Sequence, residues 1–390
     1  MANRFKQPVD FRYQNITFSN IEPSGISVDN KIVSLISGLP LGIKIPKGNY
    51  TFMSKVSLKD IANAAGVSPS TVSFVLNDKS RQMRISDDVS DRIKLLAQKM
   101  GYHPNQVAVS LRTGKSKIIG LVVESISGRF FAELARIIDE EAQSEGYRII
   151  YCSTENNALR GTDMVRMLSQ RQVDGYLITP VPGMEEVIGE LMADHRPLVF
   201  VDSYVPQLKI PYVLVDNAAG VKEGMLRLIR KGYQRIGYVT PDLNLVQLQQ
   251  REEAYRKTLT ENKRAFRRKY VLKLPYTLRN EEATQAIKEF IAQHKELDAL
   301  FFATNYFGIA GLESIRQLGL QIPDDMAVVC FDDDYLFRFY PPGISSIEQP
   351  VEDIARNSIR LLMELIRGEK IQLKNAQQML KPRFISRHSV

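Results

Sequence analysis

Two hydrophobic rhythms divide the chain. Between Ser57 and Gly101 apolar side chains recur at helical spacing in three short runs, the first two opened by a capping residue. Ser57 with Asp60 three residues on forms an acidic capping box and opens a helix through Leu58, Ile61, Ala62 and Ala65, which Gly66 ends. Ser68 caps a second helix with Pro69 at its first position, where the missing N–H costs nothing, and turns Val72 and either Val75 or Leu76 inward. A third begins near Ser86, with Asp87 and Asp88 at its positive end and Val89, Ile93, Leu96 and Met100 as its apolar stripe; Gly101 closes it.

From Lys117 onward short apolar runs alternate with amphipathic stretches such as Phe131–Glu145 and Met164–Arg171. Strands are predicted at Ile118–Val123, Arg148–Cys152, Gly175–Thr179, Leu198–Val201 and Val213–Val215. A second series lies at Ile236–Val239, Tyr270–Leu274, Ala299–Ala303 and Val328–Phe331. This order predicts an α/β body of two doubly wound parallel-sheet lobes, each covered by helices on both faces, behind an all-α head. Ligands of such a pair bind between the lobes, outside the strand carboxyl ends. Residues 1–54 carry scattered Pro, Gly, Asn and Ser without a sustained period and are predicted to be a poorly ordered extension, with Met53 a candidate true start.

Charge sharpens the division. Residues 55–117 hold 11 Lys/Arg against 5 Asp/Glu, whereas residues 118–390 hold 35 against 36. A basic head on a neutral body points to a polyanionic partner for the head alone; the alternative is a merely solvated face. No apolar run reaches the roughly 18 residues of a membrane span, and Met1–Asn20 shows no basic-then-apolar signal pattern, so a cytoplasmic protein without membrane contact is expected. Cys152 and Cys330 fall in separate predicted strands, as reduced core residues do.

Helices joined through Gly66 have the spacing of a helix-turn-helix, in which Ile61, Ala65, Val67 and Val72 lock the angle and leave the start of the second helix free to enter a major groove. The run from Val56 to Asn77, VSLKDIANAAGVSPSTVSFVLN, resembles the head of the lactose-repressor (LacI/GalR) family. So do Gly101-Tyr-His-Pro-Asn105, Ala108, Ser110–Gly114 and Ile119–Val122, and the likeness continues to Lys381–Ser389. The resemblance implies base-facing positions for Pro69, Ser70 and Phe74, and phosphate-contacting or turn-holding positions for Thr71, Ser73 and Asn77. Ser57 and Ser68, the two caps, complete the DNA-facing set of the head. Two departures stand out. Phe74 is apolar where many members hydrogen-bond, which limits it to methyl or edge contact or else makes it a core aromatic. The loop from Asn77 to Ser86 is a few residues longer than usual; its Arg81 and Arg84 either approach DNA or are simply solvated.

Residues 104–116 resemble the family's hinge, which divides a head at 55–103 from a body at 117–390. Asn105, Ala108, Leu111 and Arg112 are the DNA-facing candidates there. The segment is too short to be a stable helix alone. Paired with a second copy on DNA it would push Leu111 between base pairs of the minor groove, unless that leucine is ordinary core. For the body the resemblance places Phe130, Phe131, Asp202, Arg251, Asn305 and Asp332 at the cleft, and Tyr276 by a looser alignment. Two aromatic faces with Asp, Asn and Arg suit a polyhydroxylated ring. The alternatives are core packing for the phenylalanines and a structural ion pair for Arg251. Asp202 and Asp332 each follow a predicted strand, which agrees with the cleft rule independently of family.

Asp332-Asp333-Asp334 has no histidine cluster beside it, and no Walker loop, nucleophile elbow or Cys-x-x-Cys pair occurs, so neither a metal, a cofactor nor an enzyme is expected. The expected protein is a homodimeric, ligand-controlled transcription factor, most simply a repressor. Its expected partners are double-stranded operator DNA and a small carbohydrate effector. The rival is a periplasmic-type sugar-binding protein, which would lack the basic head. A sugar-modifying enzyme is more distant. The expected lobes are 117–217 with 350–376, and 218–349 with 377–390.

Overall fold

The computed structural model describes residues 56–104 and 106–390. The predicted extension and Asn105 lie outside the described residues. The chain separates into a small unit ending at His103 and a large one beginning at Pro104.

The small unit holds α1 (Leu58–Ala65), α2 (Pro69–Leu76) and α3 (Asp87–Lys99). The first two helices are capped as the sequence predicts, while Ser86 precedes α3 without a side-chain cap bond. Ser57 Oγ accepts from Asp60 N at 3.3 Å while the Asp60 carboxylate accepts from Ser57 N at 2.8 Å. Gly66 takes φ 65°, and Ser68 Oγ accepts from Thr71 N at 3.1 Å. Ile61, Ala65, Val72, Val75 and Ile93 form the buried centre, with Val67, Val89, Leu96 and Met100 packed around it.

The large unit opens with α4 (Gln106–Thr113) and contains two six-stranded sheets. In chain order the first lobe runs β1 (Ile118–Val123), α5 (Arg129–Ser144), β2 (Arg148–Ser153), α6 (Ala158–Gln170), β3 (Gly175–Ile178), α7 (Glu185–Ala193), β4 (Leu198–Val201) and β5 (Tyr212–Val215). The second lobe runs α8 (Asn217–Arg230), β6 (Ile236–Pro241), α9 (Val246–Glu261), β7 (Val271–Leu274), α10 (Asn280–Gln293), β8 (Ala299–Phe302), α11 (Asn305–Gln317), β9 (Ala327–Phe331), α12 (Tyr335–Phe339) and β10 (Ser345–Glu348). The chain then returns as α13 (Val351–Ile366), α14 (Leu373–Ala376) and β11 (Gln377–Leu380) before β12 (Arg383–Ile385).

The strand orders are β11-β5-β4-β3-β1-β2 and β12-β10-β9-β8-β6-β7. All pairings are parallel except β10 with β12. Every residue of β3, β4, β8 and β9 is buried, as strands covered on both faces must be. The order reverses between β2-β1 and β3, and again between β7-β6 and β8. A crevice at the strand carboxyl ends follows from each reversal.

One boundary differs from the sequence reading. β11 pairs in parallel with β5, Gln377 opposite Tyr212 through Leu380 opposite Val215, so the last crossing between lobes falls at 381–382 and not after 376. Gln377–Leu380 has no apolar run of its own; it is a strand because an open edge of β5 offers it partners. Cys152 and Cys330 are both free and buried.

Candidate functional site

In the head, Ser68, Pro69 and Ser70 are exposed at the start of α2. Thr71 Oγ1 lies 2.8 Å from Ser68 Oγ, and Asn77 Nδ2 donates to Ser73 O at 2.6 Å, so these side chains hold the turn in the unbound head. Phe74 is half-buried and does not belong to the head's core cluster. Arg81 and Arg84 are exposed.

The hinge segment forms α4, with Leu111 78% exposed and Arg112 exposed beside it. Ala108 lies in this helix, but its side chain is not among those described. Behind α4 the linker is clamped to the first lobe: Ser116 N and Oγ donate to Asp174 Oδ1 at 2.7 and 2.9 Å, and Lys117 N to Oδ2 at 3.1 Å.

Between the lobes lies a cavity of about 690 Å³. Phe130, Phe131, Asp202, Arg251, Tyr276, Asn305 and Asp332 all line it. Arg251 is 3% exposed and heavily engaged. Its Nε donates to Asn217 Oδ1 at 2.8 Å, one terminal nitrogen donates to the Ala303 carbonyl at 2.7 Å and lies 3.6 Å from Asp332 Oδ2, and the guanidinium stacks 3.6 Å over Phe331. Asp332 Oδ1 also accepts from Gln349 Nε2 at 2.5 Å. Asp202 is buried and accepts from Gln247 Nε2 of the opposite lobe at 3.3 Å. Burial, with Glu124 and Asp332 adding to it against Arg251, pushes the Asp202 carboxyl up to about 7. Two further contacts span the lobes, Tyr276 OH to Glu155 Oε2 at 3.5 Å and Arg129 stacked 3.5 Å over the Tyr335 ring. Phe131 is buried in the first lobe's core while also reaching the cavity, and Phe130 packs edge-on against it at 4.9 Å.

The three aspartates in a row separate into three tasks. Asp332 faces the cavity, Asp333 takes a paired contact from Arg387 at 2.7 and 2.9 Å, and Asp334 caps α12 by accepting from Leu336 N at 2.9 Å.

Residues 57–105 match the bacterial regulatory proteins of the lacI family, and residues 226–390 match a periplasmic binding protein-like domain. The chain is 28% identical to the ribose operon repressor of Haemophilus influenzae, over 86% of this chain and 98% of the relative. It is 26% identical to the catabolite control protein A of Priestia megaterium, over 81% and 94% respectively. The chain thus carries a lacI-family regulatory head and a periplasmic binding protein-like domain. The solved Lac repressor dimer bound to operator and the anti-inducer ONPF shares its fold, with a TM-score of 0.76 at 22% identity, over 86% of this chain and 99% of that one. The lacI-family match over its head makes the chain a DNA-binding transcriptional regulator, and among the described residues no helix is long and apolar enough to cross a membrane.

Glu124, Glu155, Gln247, Tyr306 and Gln349, none of them expected from the sequence, line the same cavity. Glu124 directly follows β1 as Asp202 follows β4, so the strand-end rule was sufficient to find it. Gln247 reaches Asp202 from the opposite lobe, and Gln349, just after β10, pairs with Asp332.

Proposed function

We propose that this chain is a homodimeric repressor whose operator affinity is set by a small polyhydroxylated molecule, a sugar or sugar derivative, bound between its lobes. Ser57, Ser68, Pro69, Ser70, Thr71, Ser73, Phe74 and Asn77 of the head, with Asn105, Ala108, Leu111 and Arg112 of the hinge, are its DNA-facing residues. Phe130, Phe131, Asp202, Arg251, Tyr276, Asn305 and Asp332 are its effector-facing residues. The observation that carries the reading is their convergence: side chains from both lobes, scattered from position 130 to position 332, line one cavity. A molecule that bridges them stabilises one setting of the lobes over another, and only such a difference in affinity can shift an equilibrium at the hinge.

The test has two stages. A thermal-shift screen of the full chain against a carbohydrate library identifies a ligand, and operator duplexes recovered by selection from random DNA are then titrated with and without it. A ligand that stabilises the chain and changes operator affinity is expected. A ligand that binds in the cleft and leaves operator affinity untouched overturns the coupling.

A further inference from the structure

The cavity is rich in hydrogen-bond acceptors, and its acceptors are grouped. In one corner, Glu124 at the end of β1 and Glu155 beyond β2 face Tyr276 and Tyr306 of the opposite lobe. Tyr276 OH lies 3.5 Å from Glu155 Oε2, and the rings of Tyr276 and Tyr306 meet edge to face at 6.1 Å. Glu155 Oε1 accepts from Ser125 at 3.0 Å. Glu155 holds φ 51°, a left-handed backbone that costs a residue with a side chain something to maintain.

A second, independent observation concerns the two glutamines. Gln247 and Gln349 are each 6% exposed, and their amide N–H groups are committed to Asp202 and Asp332. A carboxylate accepts only, so each amide is oriented with its nitrogen toward the aspartate. Gln247 Oε1 and Gln349 Oε1 are left without a hydrogen-bond partner in the protein, on side chains that line the cavity. Buried acceptors of this kind call for donors. Of the two cations that line the cavity, Arg251 serves Asn217, Ala303 and Asp332, and Arg129 stacks over the Tyr335 ring.

We propose that the effector is an amine-bearing polyhydroxylated molecule, of the amino-sugar class, whose ammonium sits between Glu124 and Glu155 against the tyrosine rings and whose hydroxyls donate to Gln247 and Gln349. Rings of Tyr276 and Tyr306 suit a cation by their faces as well as their hydroxyls. Anionic sugars, whether uronic acids or phosphate esters, bring like charge onto the same two carboxylates. The proposal rests on the reading of the cleft as the effector site and adds the charge of its ligand.

Matched series test it: D-glucose, D-galactose and D-mannose, each with its 2-amino sugar and its uronic acid, titrated at millimolar concentration onto the full chain by calorimetry at neutral pH. In at least one series the amino sugar is expected to bind more tightly than the neutral parent, and at least about tenfold more tightly than the acid. Glu155→Gln, at an exposed position where folding is not at stake, and Glu124→Gln should each narrow the gap between amine and parent. A uronic acid that binds as well as the amino sugar, no binding by any amino sugar, or a gap unchanged in both variants overturns the proposal. Asn305→Ala separates this failure from that of the cleft: binding of any sugar that disappears in it still belongs to the cleft, and binding that survives it lies elsewhere and overturns the cleft reading too.

Discussion

Asp202 and Asp332 occupy equivalent places in the two lobes. Each is the first residue after a sheet strand, with φ of 65° and 69°, and each accepts from a glutamine Nε2, Gln247 at 3.3 Å and Gln349 at 2.5 Å. Aspartate tolerates the left-handed region better than most residues with a side chain, but the conformation still costs on the order of 1 kcal/mol and persists only where neighbours over-determine it. Both carboxylates are held at the mouths of their sheets and aimed at one cavity. The two residues nevertheless differ in charge balance: Asp332 has the guanidinium of Arg251 at 3.6 Å, while Asp202 is buried with only an amide donor close by.

That difference separates the effects of mutating the cleft. Asp332→Ala should weaken effector binding by roughly 1.5–3 kcal/mol, the range of a charge-assisted hydrogen bond, while Arg251 keeps its contacts to Asn217 and Ala303. Arg251→Ala removes the buried partner of an ion pair and a stacked guanidinium together, and should cost the fold itself roughly 3–5 kcal/mol. Denaturant unfolding and calorimetry on both variants check this; equal losses of stability in the two would show that Arg251 is not structural.

Asp202 predicts a pH dependence of stability with a definite sign. Its carboxyl, ordinarily near 3.8, stands at about 7 in the folded chain, first because it is buried and then because Glu124 and Asp332 face it, with Arg251 opposing. Below the ordinary value both states hold the proton and the site contributes nothing. Between the two values the unfolded chain has released a proton that the folded chain retains, so stability falls as pH rises and levels off above about 7. Asp202→Asn should abolish this component, gaining on the parent by roughly 3–4 kcal/mol between roughly pH 4 and pH 8. Urea melts of both proteins across that range decide it; a difference that stays flat with pH removes Asp202 as the cause.

The head was legible in the sequence because its determinants are local. Ser57 and Asp60, Ser68 and Pro69, and Gly66 act within one turn of where they stand, and the structure uses each as its chemistry suggests. Strands such as Ile118–Val123 and Leu198–Val201 were legible because burial on both faces demands an unbroken apolar run. Gln377–Leu380 was not, since an edge strand is made by the edge it joins. Glu155 was hidden for a related reason: only the fold brings it to Tyr276, more than a hundred positions away in the other lobe, whereas Glu124 stands at a strand end like Asp202.

Phe74 is half-buried on α2 and stands outside the head's core cluster, so its ring is free to meet a base edge. Lacking a hydrogen-bond donor, it should read thymine methyls. Replacing operator thymines by uracil one at a time is expected to reveal one or two positions where affinity falls. Should no position respond, sequence reading passes to Ser70 and its neighbours, and Phe74 serves only to shape the helix surface.

Leu111 gives the sharpest test of how head and body are coupled to DNA. A leucine 78% exposed on an eight-residue helix contributes almost nothing to the fold, so Leu111→Ala should leave the melting temperature and effector binding unchanged. The same exposure suits a wedge. Two copies of α4 in a dimer could push their leucines between base pairs, at a cost of about a few kcal/mol in unstacking that new backbone contacts along the bent groove offset. Removing the wedge should therefore reduce specific operator affinity and DNA bending. Non-specific binding, which depends on phosphate neutralisation by basic side chains and not on the leucine, should persist with its salt dependence intact. Gel-shift and bending assays on specific and random duplexes separate the two effects. If Leu111→Ala bends and binds operator as the parent does, insertion is not how this chain grips DNA, and the hinge must act through its backbone contacts alone.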